Sequence, residues 1–305
     1  MSVLRKGRVP GLIVPAILGA ITLSLAGCGA VPSDGGIARS SGSSIEDESL
    51  TPPACGRAPT TNREARTLIV LDWDGGPSPL DARATLSPLN PADLPIYDAI
   101  RSDADAETFK EAVRVQIETI LCDLDPVDMR VITGRASDYP AATHVHFTLD
   151  RAPSGGRQAG QADYDPCNLY VDDTVLIWGG RIADVAGPTW LRREWVNILA
   201  NVTTHEIGHT LGFAHPDDIG ITVDGDIARR AIMMSSHTVT SLSQPQAFLI
   251  PQTTCPATAQ GASRGVNYQI VSGTVSAAAL KAPSAIVDDG SGVLSCHHDD
   301  QVLEY

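Results

Sequence analysis

The stretch from His205 to His215 constrains the fold of this chain more than any other feature. It reads H-E-I-G-H-T-L-G-F-A-H. His205 and His209 are four residues apart, so on a helix they project from one face and can bind a single Zn²⁺ at ~2.0–2.1 Å without bending the backbone. Gly212 can adopt a left-handed conformation that ends the helix and turns the chain back. The turn would bring His215 to the metal as a third ligand.

Glu206 directly follows the first of these histidines. This position predicts a carboxylate beside the fourth coordination site, where a water belongs and where a carboxylate can accept its proton. Three protein ligands and one open position are typical of a catalytic zinc site rather than a structural one.

The complete motif resembles that of the metzincin clan of zinc endopeptidases, in particular its matrixin-like and serralysin-like members. The clan also has a methionine-containing turn beneath the zinc, and residues 231–235, Ala-Ile-Met-Met-Ser, resemble it. Met233 is then the Met-turn residue, 18 positions after His215. The alternative is an ordinary core methionine, because Met often fills gaps in a core. In some metzincins a tyrosine two positions after the Met binds the transition state. Ser235 occupies that position here, so the role is not transferred.

The resemblance implies an α+β catalytic domain over residues 63–305. It implies a twisted mixed β-sheet, two main helices and an irregular C-terminal subdomain with the Met-turn at about 231–235. One helix, at about 190–212, carries the zinc motif. The implied activity is hydrolysis of a protein or peptide substrate by one catalytic Zn²⁺, with Glu206 as the base. The resemblance also implies that an antiparallel strand at the rim of the cleft pairs with the substrate main chain.

The N-terminus has the pattern of a bacterial lipoprotein signal peptide. Basic residues precede the apolar run Gly11–Ala26, and Leu-Ala-Gly-Cys at 25–28 resembles a lipobox. We expect cleavage after residue 27 and a lipid on Cys28, with residues 28–62 as a flexible tether. The mature protein is then anchored to the membrane in the bacterial cell envelope, facing away from the cytoplasm. An ordinary signal peptide and an uncleaved anchor remain the alternatives.

The overall charge argues against nucleic acid as a partner. The chain has a formal net charge of −14 with only 22 Lys and Arg, whereas binding to phosphates requires a basic face.

Five cysteines follow the lipobox, and export makes disulfides plausible. They are Cys55, Cys122, Cys167, Cys255 and Cys296. An odd number leaves at least one thiol unpaired within the chain, and Cys255–Cys296 is the favoured pair. The sequence around Cys55, C-G-x-x-P, also resembles the matrixin cysteine switch, although a disulfide to the domain is the favoured interpretation.

Apolar patterns predict the main elements of secondary structure. Alternating or continuous apolar runs predict strands, and apolar spacing at the helical period predicts helices. The predicted strands are 67–71, 129–133, 143–148 and 171–178, with a strand-like segment at 266–275. The predicted helices are 106–121 and one from near Trp190 through the zinc motif. The predicted loops are 79–95 and 151–165.

Other polar groups suggest rival or additional sites. Asp72-Trp73-Asp74-Gly75 resembles the first motif of haloacid-dehalogenase-type phosphotransferases, but a structural turn or a calcium-binding loop is favoured because the mature chain has only two lysines. His144 and His146 share one strand face, where solvent exposure is favoured over a second metal.

The acidic residues after the zinc motif have three open interpretations. Asp217, Asp218, Asp224 and Asp226 can orient a ligand histidine, bind Ca²⁺, or lie in a solvated loop, which is favoured. A non-enzymatic alternative is a lipid-anchored binding protein with a metalloprotease-like fold. The intact Glu206 disfavours it, because binding needs no base.

Overall fold

The computed structural model describes the central part of the chain and two short C-terminal segments. The described residues are 55–56, 58–62, 65, 67–79, 81, 83–125, 127–152, 158–165, 168, 170, 172–187, 189–218, 222–223, 225–249, 269–270 and 302–304. The expected signal segment, Cys28 and the favoured pair Cys255–Cys296 lie outside them. Within the described residues, no helix combines the length and apolar character needed to cross a membrane.

The described chain consists mainly of short strands and two helices of 19 residues each. In chain order the elements are β1 (Thr67–Asp72), β2 (Gly76–Pro77), β3 (Thr85–Leu86), α1 (Asp103–Leu121), β4 (Leu124–Asp125), β5 (Met129–Thr133), β6 (Thr143–Thr148), β7 (Gly160–Ala162), β8 (Thr174–Trp178), α2 (Gly179–Val185), α3 (Arg192–Thr210), α4 (Gly225–Ala228), β9 (Ser236–Thr238), α5 (Val239–Leu242), β10 (Gln269–Ile270) and β11 (Val302–Glu304). Single 3₁₀ turns lie at Pro91–Asp93 and Ala136–Asp138.

A five-stranded sheet of order β5-β1-β6-β8-β7 forms the framework. The first four strands are parallel, and β7 runs antiparallel to β8 at the edge. The sheet is therefore mixed, as expected, with parallel pairing dominant. Three two-stranded pairs complete the described sheet structure: β2 with β3, β10 with β4, and β11 with β9.

The core lies between one face of this sheet and the two long helices. Because side chains alternate along a strand, every second residue of the parallel strands points to this face. Ile69, Val145 and Val175 from the sheet are in one buried cluster with Val113 from α1 and Ile198 from α3. The two helices also contact each other, so α3 is covered along most of its length.

A buried ion network holds α1 on the sheet. The Glu118 carboxylate accepts hydrogen bonds from Arg114 Nη1 at 2.8 Å and from Arg130 Nη1 of β5 at 2.9 Å. Arg114 also pairs with Glu111, which is half-exposed. Since charges buried without a partner are costly, this network requires that α1 keep one position relative to β5.

The element boundaries differ from the sequence-based predictions at several points. Helix α1 begins at Asp103 because the Ser102 hydroxyl caps it by accepting from the amide of Asp105. Helix α3 begins at Arg192, later than predicted, since the Glu194 carboxylate accepts the Leu191 amide at 2.9 Å and fixes the start there. Within the predicted strand 171–178, residues 174–178 form a strand and 172–173 do not; residue 171 lies outside the described residues.

The largest error concerns the predicted loop 151–165, which was wrong at its C-terminal end. Residues Gly160–Ala162 form the edge strand β7, paired with 175–177 of β8. The segment 79–95 is largely irregular, as predicted, but contains β3 and the first 3₁₀ turn. Of the strand-like segment 266–275, the structure describes a two-residue strand at 269–270.

Candidate metal centre

The C-terminal end of α3 carries two of the three histidines, and the turn that follows brings in the third. Gly212 has φ +89°, the left-handed conformation predicted for it. Its amide donates to the His209 carbonyl at 3.0 Å, and the Phe213 amide donates to the Gly208 carbonyl at 2.9 Å. These two bonds are a Schellman motif, which ends the helix and reverses the chain. His215 thereby returns to the helix end.

The Nε2 atoms of His205, His209 and His215 converge on one point. The His205 and His209 atoms are 3.1 Å apart, and those of His205 and His215 are 2.9 Å apart. Two nitrogens bound to one tetrahedral Zn²⁺ would be ~3.3 Å apart, given Zn–N bonds of ~2.0–2.1 Å. Among the described residues, these three form the one group of histidine, cysteine or acidic side chains arranged to hold a metal ion.

Each of the three rings is oriented by a hydrogen bond at its other nitrogen. The bonds run from His205 Nδ1 to the Ile232 carbonyl at 2.6 Å, from His209 Nδ1 to the Phe213 carbonyl at 2.9 Å, and from His215 Nδ1 to Asp218 Oδ2 at 2.8 Å. Because these acceptors carry no hydrogen, each Nδ1 is the protonated nitrogen, and each Nε2 presents a lone pair. Three buried lone pairs that face one another repel unless a cation lies between them. The donor set therefore fits a zinc ion.

Burial favours the neutral form of His205 and His209, the form in which an imidazole binds a metal. Desolvation, with the neighbouring imidazole of His209 next, lowers the pKa of His205 well below its usual value. Desolvation, then the proximity of His215, lowers the pKa of His209 to about 3. Neither ring binds a second proton at neutral pH.

Glu206 is fully buried between α3 and the edge strand β7. Its side chain lies against Gly160, where a Cβ atom would be 2.5 Å from Oε1 and 2.6 Å from Cγ of the glutamate. Only a glycine lets the strand approach the carboxylate this closely. Just beyond β7, the ring of Tyr164 meets the His209 ring edge-on, with centroids 5.9 Å apart.

Met233, the residue assigned to the Met-turn by resemblance, packs against Gly208 within the zinc motif of α3. The methionine is buried, and its side chain occupies the space where Gly208 of α3 would carry a Cβ atom, with Cε 3.0 Å from that point. The Ser235 hydroxyl and amide both donate to the Asp217 carboxylate, which joins the turn to the segment after His215.

The acids after the zinc motif were interpreted as a solvated loop; Asp218 is half-exposed, but it and Asp217 also make specific side-chain contacts. Asp218 orients His215, and Asp217 holds Ser235. Asp226 forms an ion pair with Arg229, and Asp224 lies outside the described residues. Nothing in the described residues therefore points to calcium binding at these acids.

Sequence reasoning missed His237, a fourth histidine near the site. Its ring is buried, and its centroid is 6.2 Å from that of His205. Burial lowers its pKa to about 4. A single histidine without a spacing partner gives no signal in the sequence, so only the fold could reveal its position.

The two remaining candidate sites are accounted for by local structure. The Asp72 carboxylate accepts the amides of Asp74 at 3.0 Å and Ala136 at 2.9 Å, so it stabilises turns at the end of β1. This agrees with a structural turn rather than a phosphoryl-transfer nucleophile. His144 donates to the Tyr139 carbonyl at 2.8 Å, and His146 lies 4.0 Å from Asp72.

Comparisons with known proteins add little to this geometry. No protein-family model matches the chain, and no curated protein matches it. Among solved structures, it is similar to archaemetzincin from Methanopyrus kandleri, with 13% identity and a TM-score of 0.32 over 61% of this chain and 89% of that one. A likeness this loose carries no argument for fold or activity, which rest on the residues themselves.

Proposed function

We propose that this protein is a zinc-dependent endopeptidase with a metzincin-like, matrixin- or serralysin-like catalytic domain. The observation that carries the proposal is the convergence of three Nε2 lone pairs beside a buried glutamate. A structural zinc site has four protein ligands, whereas within the described residues only three side chains converge here.

His205, His209 and His215 would hold the ion, with their rings aligned by their Nδ1 bonds. Zn²⁺ bound there supplies a Lewis acid that polarises the scissile carbonyl and lowers the pKa of water toward ~7. Glu206 takes the proton of the attacking water and passes it to the leaving amine. Its burial against β7 excludes bulk solvent from the carboxylate.

The substrate main chain would pair with β7. This strand is antiparallel to its neighbour, and within the described part of the chain its outer edge pairs with no other strand. An extended peptide added at that edge would form backbone hydrogen bonds with β7. Because Gly160 of β7 touches Glu206, such a peptide would lie within reach of the base and the metal.

The location of the enzyme is part of the same proposal. The lipobox ending at Cys28 supports export and attachment of the mature chain to the membrane of the cell envelope through an N-terminal lipid. Substrates would then be proteins or peptides outside the cytoplasm.

The experiment that tests the activity is the substitution Glu206→Gln. The variant should bind zinc like the wild type but lose hydrolysis of a quenched-fluorescent peptide library, because an amide cannot accept the proton. Glu194→Gln, the same change at the start of α3, is the matched control and should remain active and chelator-sensitive. Hydrolysis at the wild-type rate by zinc-loaded Glu206→Gln would refute the mechanism. Wild-type protein that binds zinc tightly but cleaves no peptide would support the binding-protein alternative.

A further inference from the structure

His237 lies behind the metal centre and makes specific contacts there. It follows the Met-turn on β9 and is buried. Both of its ring nitrogens are engaged away from the three converging ligands. Nε2 lies 3.2 Å from the Ile232 carbonyl, and Nδ1 lies 3.1 Å from Gln246 Nε2. His237 is therefore not a fourth ligand in this arrangement.

The contacts of Gln246 determine which nitrogen of His237 carries the proton. Gln246 Nε2 also contacts the Arg229 carbonyl at 3.4 Å. A carbonyl can only accept, so the group facing both partners is the amide NH₂. Nδ1 of His237 must then accept, which leaves the proton on Nε2. His237 thus donates to the Ile232 carbonyl.

The same Ile232 carbonyl orients a metal ligand. It accepts from His205 Nδ1 at 2.6 Å as well as from His237, and a carbonyl oxygen has two lone pairs for this. The amide of Ile232 donates to the Ala247 carbonyl at 3.0 Å, and the Ala247 amide donates to the Arg230 carbonyl at 3.0 Å. The Ile232 amide is therefore held by Ala247, the residue that follows Gln246, while the Ile232 carbonyl is held by His205 and His237.

We infer that His237, fixed by Gln246, is a positioning residue that holds the Ile232 carbonyl against His205 and so directs His205 Nε2 at the metal. The inference rests on the proposed zinc site, and His237 itself contacts neither metal nor substrate. Partners of this kind set the orientation and basicity of a ligand imidazole. Loss of the His237 bond should leave the Ile232 carbonyl freer to move and His205 less well aimed.

The test measures zinc affinity directly, by competition with a chromophoric chelator, together with denaturant unfolding of the zinc-free protein. His237→Phe keeps a ring of similar size but removes the donor, and it should weaken zinc binding by about 10–100-fold. His237→Gln retains an N–H donor and should restore most of the affinity. Gln246→Met removes the group that fixes the tautomer and should weaken binding in the same direction.

The matched control is His144→Phe. His144 also donates to a backbone carbonyl, that of Tyr139, but this carbonyl touches no ligand. Its loss should lower stability and leave the zinc dissociation constant unchanged. If His237→Phe and Gln246→Met also keep zinc affinity within about threefold of wild type, well short of the loss expected for such partners, the role of His237 is only structural and the inference is overturned. Wild-type protein that binds no zinc would instead overturn the proposed function, and this inference with it.

Discussion

Substitution of Gly160 by alanine tests whether the close contact between β7 and Glu206 matters for catalysis. The new Cβ atom would lie 2.5 Å from Oε1 and 2.6 Å from Cγ of Glu206, compared with an ordinary contact of ~3.5 Å. Both atoms must therefore move by about 1 Å. A displacement of about 1 Å at a catalytic group can lower the rate ~100-fold, which corresponds to ~2.7 kcal/mol of transition-state stabilisation.

The assay is kcat on a quenched-fluorescent peptide, with zinc content measured on the same samples. Gly160→Ala should lose most of kcat while retaining zinc, because none of the three ligands touches residue 160. Gly225→Ala is the control, since a Cβ atom there meets nothing within 4 Å. A Gly160→Ala variant with at least one third of wild-type kcat would show that the base does not depend on this contact.

Three further predictions concern stability and location. Glu118→Gln should lower the free energy of unfolding by about 3–5 kcal/mol, because it leaves buried arginines without their shared counter-charge. Glu111→Gln, at the half-exposed partner of Arg114, should lower it by less than about 1 kcal/mol. Equal losses for the two variants in denaturant titrations would contradict this. The lowered pKa values of His209 and His237 mean that, below the unfolded-state pKa near 6.5, the unfolded chain binds protons that the folded zinc-free chain does not. The free energy of unfolding of the zinc-free protein should therefore be highest above about pH 6.5. Between about pH 6.5 and about pH 4 it should fall by about 1.4 kcal/mol per pH unit for each buried imidazole. Denaturation curves that do not change between about pH 7.5 and pH 5.5 would show that these imidazoles do not have lowered pKa values. Finally, Cys28→Ala should move the protein from the membrane to the soluble fraction of a bacterial host, and persistent membrane attachment would argue for an uncleaved anchor.

The convergence of the three histidines was predictable because their geometry is local. Four residues separate His205 from His209, which is one helical turn, and the Gly212 turn depends on the conformation of a single residue. The parallel strands were predictable for a related reason. The β-branched and aliphatic run at 67–71 and the alternating pattern at 143–148 are typical of strands whatever their neighbours are.

The edge strand was missed because its signal is not local. Gly-Gln-Ala at 160–162 is short and has neither β-branched nor aromatic residues, so its strand structure depends on pairing with β8. His237 was missed for the same reason. Its partners are a carbonyl five residues earlier and an amide nine residues later, and neither leaves a pattern in the sequence. The sequence identified Asp217 and Asp218 as candidate polar partners, but only the fold shows that Asp217 accepts from Ser235 and that Asp218 accepts from His215.

The three imidazoles belong to residues 205–215, whereas the hydrogen bond between His205 and the Ile232 carbonyl links two residues that are 27 positions apart. Since the entropy lost on closing a loop grows with its length, an ion that cross-links so short a segment restrains little of the unfolded chain. The tie between α3 and the segment around Ile232 is the hydrogen bond from the His205 imidazole to the Ile232 carbonyl, which does not need the metal. Removal of zinc by a chelator should accordingly stop turnover while leaving the sheet and both long helices folded, unlike small zinc domains that unfold without their metal.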